Sequence, residues 1–230
     1  DWLPKLGYNS FFLQFELPYA FLNLWYSHKN NPLKKPEAFS LEKAAEISSV
    51  IDRELQKRSL KHHRVGHGWT CSVLGQNTLG WVPSDTTLTK EQENMTALID
   101  GKRGFFQGIP INTNLCYSNP DVIASFAEKV TAYAMLHPEV DYLHVWLADA
   151  SNNHCECDTC KKHLPSDLYV HILNEIDRAL SQKHLDTKIV FLIYEELLWA
   201  PIEEKLLHPH RFVMMFAPIS RTFLQSYEIP

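Results

Sequence analysis

Apolar positions along this chain recur at two spacings, and segments of the two kinds take turns. Residues 10–17, SFFLQFEL, form an apolar, aromatic run ended by Pro18, which predicts a buried strand. Over residues 41–59, Leu41, Ala44, Ile47, Ile51 and Leu55 fall at helical spacing, with Ser40 placed to cap the helix. HHRVGHGWT, residues 62–70, predicts a short strand running into a glycine-containing loop. From Cys71 to Gly108 periodicity is weak and polar or glycine positions are many. That predicts a long loop or insertion, and such loops in compact domains are usually functional.

PINTNLCYS, residues 110–118, reads as another short strand. Residues 119–138 carry the cleanest helix signals: Asn119 as cap, Pro120 in the first turn, Ile123, Phe126, Ala127 and Val130 on one face, and Pro138 as stop. DYLHVWLAD, residues 141–149, predicts a strand. Residues 166–184 predict a helix capped by Ser166, with Tyr169, Ile172, Leu173, Ile176 and Leu180 inward. KIVFLIYEE (188–196) and RFVMMFAP (211–218) are apolar strands, and PIEEKLL (201–207) reads as a short helix between them.

Six apolar strands alternating with helices imply an α/β fold, a parallel sheet covered by helices. No glycine-rich phosphate loop follows the first strand, which argues against a dinucleotide-binding doubly wound sheet. The expected architecture is a (β/α)8 TIM barrel, as an incomplete fragment lacking a strand at each end. Residues 1–230 would form this single domain, with 71–108 as the loop or insertion. The chain begins without Met, so it reads as a piece of a longer protein.

Composition narrows the function. A net charge of -5 and the absence of any long basic run argue against a nucleic-acid partner. No apolar run is long enough to span a bilayer. With 6 Trp and 12% aromatics the chain could line a sugar cleft, although core packing is the commoner use of such residues.

In a barrel the active face lies at the C-terminal strand ends. Glu16, His67, Asn114, Asp149, Glu195 and Glu196 fall at such ends. Asp149 with Glu195 or Glu196 would supply the carboxyl pair of glycosidic cleavage, about 5 Å or about 6.5–9.5 Å apart according to stereochemical outcome. Asp149 would be general acid or an orienting carboxylate, and a glutamate the base or nucleophile. His63 and His67 would stand roughly 13 Å apart along a strand, too far to share one metal. His67 and Trp69, with Asn114 and Asn152, would contact sugar. His63 reads as a core residue.

Cys155, Cys157 and Cys160 form a C-x-C-x-x-C run. Cys116 is placed to complete a four-ligand zinc site, with His154 as the alternative ligand. A structural zinc is favoured over a disulfide, and both over free thiols. Cys71 is left unpaired.

NLCYSNPDV, HVWLADASNNHCECDTC and SDLYVHILNEI together resemble a bacterial family of barrel proteins described as a domain of unknown function. The opening DWLPKLGYNSFFLQF looks like the first helix and second strand of related barrels. The matching positions are Cys116, Asn119, Pro120, Asp149, Asn152, Cys155, Cys157, Cys160 and Asn174. Where the family often carries QND or ND, this chain reads LADASNN. The family is similar in organisation to α-glucuronidases and β-hexosaminidases. The resemblance implies a barrel, a glycoside-hydrolase-like site, a carbohydrate substrate, and a secreted or periplasmic location. A non-catalytic carbohydrate-binding barrel is the alternative, and a zinc-dependent hydrolase a less favoured one.

Overall fold

A computed structural model describes residues 2–226. Among these residues seven α-helices and five strands follow one another in the order α1 Trp2–Lys5, β1 Ser10–Gln14, α2 Tyr19–Tyr26, α3 Leu41–Gln56, β2 Lys61–Gly66, α4 Trp69–Val73, α5 Lys90–Met95, α6 Pro120–Leu136, β3 Tyr142–Val145, α7 Pro165–Gln182, β4 Lys188–Ile193 and β5 Phe212–Phe216. The strands form one sheet in sequence order, β1-β2-β3-β4-β5, and every pairing is parallel. Sequential order leaves no switch point, so the doubly wound arrangement is absent among the described residues. Right-handed crossovers in such an order all return on one side of the sheet, where α6 and α7 pack together. Among the described residues no helix is long and apolar enough to cross a membrane.

The sheet has five strands where six were expected, and β1 and β5 are its edges. The missing strand is residues 110–118. Pro110–Asn112 instead form a 3-10 turn, and Leu115 makes only an isolated bridge to Thr96. Pro110 lacks the N–H a central strand needs. The long segment 71–108 is ordered by α5, whose Thr89 and Gln92 form a reciprocal capping box.

Register sorts the strand residues onto two faces. Leu13, Arg64, Leu143, Ile189 and Phe212 line up across the sheet on the helix-covered face. There Arg64 is paired with Asp52 of α3. The opposite face carries the rows Phe12-His63-Tyr142-Lys188 and Gln14-Val65-His144-Val190-Val213. His63 Nδ1 lies 2.9 Å from His144 Nε2, and His144 stacks on Phe12 at 4.3 Å. Burial, then the neighbouring His63, pushes His144 down to about 3, so this pair is neutral at physiological pH. His63 is a packing residue, as expected from its place in the strand.

Helices α3 and α6 begin at their expected caps: Ser40 accepts from Lys43 N, and Asn119 accepts from Asp121 N. In α7 the cap position is Leu164, not Ser166, which is buried at the second helical position. The inner face of α7 also carries Asp167, Asn174 and Asp177, which hold the chain between β4 and β5. Asp167 Oδ1 accepts the N–H groups of Ile202, Glu203 and Glu204 at 3.0, 2.8 and 2.9 Å. Asn174 donates to Lys205 O and accepts from Leu207 N, both at 3.0 Å. Residues 201–207 therefore run as bends and irregular chain over α7 and are not helical, because their backbone donors are taken by a neighbouring helix. A 3-10 turn at Glu195–Leu198 precedes them.

Asp177 accepts from Arg211 Nε at 2.7 Å and from His208 Nδ1 at 2.6 Å. Both Asp177 and Arg211 are buried, so removing one partner strands the other charge. Asp177→Ala should lower the unfolding free energy by about 3–5 kcal/mol in urea titrations. A loss under about 1 kcal/mol would place this pair with weak surface ion pairs.

Candidate functional site

The C-terminal ends of β1 to β4 carry several residues of unusual backbone. Phe15, Val65, Ala150, Asn152 and Glu195 all have positive φ, between 48° and 79°. Such conformations are costly for residues with a Cβ, above all β-branched Val65, and persist where surrounding bonds over-determine them. At the end of β2 two glycines allow the chain to turn. A Cβ on Gly66 would lie 3.0 Å from the Trp146 ring, and Gly68 has φ +119°. Between them His67 is turned inward, with Trp146 edge-on to its ring at 5.0 Å.

Asp149 is the centre of this end. Its Oδ2 accepts from Trp81 Nε1 at 2.6 Å, and its Oδ1 accepts from the Tyr194 hydroxyl at 3.2 Å. His67 Nε2 stands 3.7 Å from Oδ1, while His67 Nδ1 is 2.8 Å from Leu147 O. Burial works to raise the Asp149 carboxyl. His67, the Ala150 N–H, Trp81 and Tyr194 outweigh it and hold the group below the ordinary carboxylate value. Burial lowers His67 from the usual histidine value, with Asp149 and the Leu147 bond opposing. Burial, then Asp149, raises Tyr194, so its hydroxyl stays protonated. At neutral pH the centre is an anion held between two donors beside a neutral imidazole.

Trp81 is about half exposed and meets Phe15 edge-on at 5.6 Å. On its far side runs an open groove of about 720 Å³ lined by Phe12, Phe15, Phe21, Leu24 and Leu79. The loop bearing Asp149 is fixed from beneath by amides. Asn114 Nδ2 donates to Asn153 Oδ1 at 2.9 Å, and Asn114 Oδ1 accepts from Tyr117 OH at 2.8 Å and Ala148 N at 3.2 Å. Asn153 Nδ2 donates to Asn112 O at 2.8 Å and Asp149 O at 2.7 Å.

The other expected site residues separate. Glu196 Oε1 accepts from Asn152 N at 2.5 Å, and its Oε2 is 3.9 Å from His154 Nε2. Asn152, His154 and Glu196 line a polar pocket of about 320 Å³ with Glu156, Lys161 and His163. Glu195 turns away to accept from Ser220 Oγ at 2.9 Å. Asn114 is buried and bonded within the protein. Trp69 is fully buried; it opens α4, gives its Nε1 to His144 O and packs edge-on to Tyr133. It is a core side chain and does not line the cleft: the strand ends at Gly66, so alternation no longer places residue 69.

Cys116, Cys155, Cys157 and Cys160 converge, their sulfurs all within 4.8 Å of one another. Cys116 Sγ lies 3.7 Å from Cys157 Sγ and 3.9 Å from Cys160 Sγ. A disulfide needs about 2.05 Å, whereas four sulfurs tetrahedral about a zinc at about 2.3 Å stand about 3.8 Å apart. Leu98 N–H points at Cys155 Sγ and Cys160 N–H at Cys157 Sγ, at 3.3 and 3.4 Å. Cys160 Sγ donates to Ser118 Oγ at 3.1 Å. The two backbone donors suit thiolates, and the set can hold a metal ion. His154 faces Glu196 and is not part of the cluster. Cys71 is a free, buried thiol, as expected.

Trp81, Tyr194 and Asn153 were not singled out in the sequence. Tyr194 carries a signal, since it directly precedes the glutamates at a strand end. Trp81 lies in an aperiodic loop, where spacing says nothing of where a side chain goes.

A group held below its ordinary value stabilises the fold above its unfolded value, about 3.9 for Asp, and loses that contribution as pH falls through the folded value. Trp81→Phe removes one donor to Asp149. Its carboxyl should then titrate at higher pH in 13C NMR, and the variant should lose stability at pH 7 but converge on the parent near pH 2. An unmoved titration would mean that the indole bond does not hold the anion.

A family model described as Domain of unknown function (DUF4838) matches residues 30–228. No curated protein and no solved structure matches the chain.

Proposed function

The chain belongs to the DUF4838 family, and from that footing we propose that it is a glycoside hydrolase acting on a polysaccharide or glycan. The observation that carries the reading is the ionised Asp149 at a strand end, held by Trp81 and Tyr194 beside an aromatic groove. Aromatic faces suit sugar rings, and a buried, oriented carboxylate suits the positive charge that develops as a glycosidic bond breaks. Sequential parallel strands support a (β/α)8 barrel, whose reactions run at this end of the sheet.

Asp149 is deprotonated at neutral pH, so it acts as base, nucleophile or orienting anion; the proton donor is another group. Glu196 is the residue for that part, since it opens onto the polar pocket while Glu195 is turned to Ser220. The four cysteines take a structural zinc. It would tie the loop of residues 155–160 to Cys116, close to the amides that brace Asp149. A closed all-sulfur shell leaves no open position for a substrate, which sets a catalytic zinc aside.

The test is hydrolysis of a panel of aryl glycosides and uronides, with Asp149→Asn and Glu196→Gln run beside the parent. Turnover of one sugar class, reduced about 100-fold or more in each variant, is expected. Failure to turn over any member, with sugar binding retained, would replace the hydrolase by a carbohydrate-binding barrel. For the zinc, elemental analysis should return one ion per chain, and Cys157→Ser should lower the melting temperature. An unchanged melting temperature with no bound zinc would remove the metal from the reading.

A further inference from the structure

The polar pocket of about 320 Å³ shares no lining residue with the aromatic groove beside Trp81. Its size is at the low end of ligand pockets, which suits one ring-sized unit and not an extended chain. Several of its polar groups are already matched. Lys161 Nζ pairs with Asp158 at 2.5 Å, and His163 Nδ1 with Glu203 at 2.6 Å. Glu156 Oε2 accepts from Asp100 N at 2.9 Å. Two side chains on its wall are not matched. Among the described residues neither the His154 ring nor the Asn152 amide group has a hydrogen bond within the protein. The His154 side chain is only 20% exposed, and a polar ring so enclosed calls for a partner.

The Asn152 N–H holds Glu196 by Oε1 at 2.5 Å, and Glu196 Oε2 stands 3.9 Å from His154 Nε2. That gap is too long for a direct bond. It is right for a bridge: one oxygen about 2.8 Å from each would see the two at about 90°. A ring nitrogen facing a carboxylate is favoured as N–H, so His154 donates to the bridging oxygen and Glu196 accepts from it. A hydroxyl does both at once. We propose that this pocket is a subsite for one neutral sugar unit, with a hydroxyl bridging His154 Nε2 and Glu196 Oε2 and the Asn152 amide taking a second hydroxyl. Pro165 and Leu168 supply an apolar wall for the ring's C–H face. An anion has no proton to give Glu196, and the cations on the wall are already paired. An ammonium group has no acceptor for His154. With Glu196 protonated, the same position takes an ether oxygen, which accepts from both groups. The inference rests on the reading that the ligand is a carbohydrate, and it gives that ligand a second place beside the aromatic groove.

The test is long-range 1H–15N NMR of the full chain, labelled in histidine, with the His154 ring nitrogens assigned. Probes are glucose, galactose, mannose, xylose and N-acetylglucosamine, with inorganic phosphate as the anionic control. Nε2 should carry the ring proton in the free protein. It should shift on saturation with at least one of the sugars and stay unmoved by phosphate. His154→Phe keeps a ring in place and removes the donor, so it should hold its melting temperature. It should bind the sugar about tenfold more weakly, the loss of one hydrogen bond. Asn152→Gly keeps the N–H that holds Glu196 and suits the φ of 55° at this position, while the side-chain amide is gone. It too should fold and bind about tenfold more weakly.

A bare Nε2 in the free protein, or an Nε2 signal that no sugar moves, would overturn the proposal. So would a signal that phosphate moves and sugars do not, which would make the pocket an anion site. Should His154→Phe fail to fold, Asn152→Gly decides: binding equal to the parent's overturns the subsite. A sugar-induced shift at His154 without hydrolysis of any glycoside would support the subsite and remove the hydrolase reading alone. Hydrolysis with an unchanged KM in both variants would remove this inference alone.

Discussion

The buried amide of Asn114 is the joint on which this end of the molecule depends. It meets Asn153, Tyr117 and the Ala148 backbone at once, and so ties the 110–118 segment to the chain leaving β3. Each of these groups is withdrawn from water, and a buried polar atom left without its partner costs about 1–3 kcal/mol. The network therefore admits one arrangement. Asn153 passes the constraint on to Asp149 O and Asn112 O, and the carboxylate is aimed as a result. The left-handed residues Ala150 and Asn152 sit inside this loop, and Asn152 N–H is taken by Glu196.

Two centres flank this joint and do different work. On one side Asp149 is an anion wrapped by an indole, a phenol and an imidazole, and the indole separates it from an aromatic groove. On the other, four sulfurs gather: Cys116 comes from one segment and Cys155, Cys157 and Cys160 from another. The buried pairing of Tyr117 with Asn114 lies next to Cys116 in the chain, so the sulfur cluster and the acid share a foundation. The first centre has chemistry to offer a ligand; the second has geometry to offer the first.

Much of the fold was legible because long helices and apolar strands announce themselves by period. Leu41–Gln56 and Pro120–Leu136 begin at the residues whose side chains satisfy their first N–H groups. The sulfur cluster was legible because C-x-C-x-x-C concentrates a soft ligand in one loop. What escaped depended on tertiary partners. Residues 110–118 have strand-like composition, yet Pro110 and the demands of the Asn114 network send them into turns. Residues 201–207 have helical composition, yet α7 takes their backbone donors. Trp69 was expected to contact sugar because it follows a strand, but the strand ends at Gly66 and Trp69 opens a buried helix. Trp81 reaches Asp149 from 68 residues away, and no local pattern records that distance.

The hold of Asp167 on residues 202–204 has a consequence for sequence tolerance. One carboxylate oxygen reads three consecutive backbone N–H groups and no side chain. As far as this hold is concerned any residue with an N–H serves and proline is excluded, although Glu203 and Glu204 also pair with His163 and His171 through their side chains. Pro201 stands immediately before the stretch, at the last position where it can be accommodated. As far as the backbone hold goes, the connection between β4 and β5 thus keeps its path over α7 through changes of side chain.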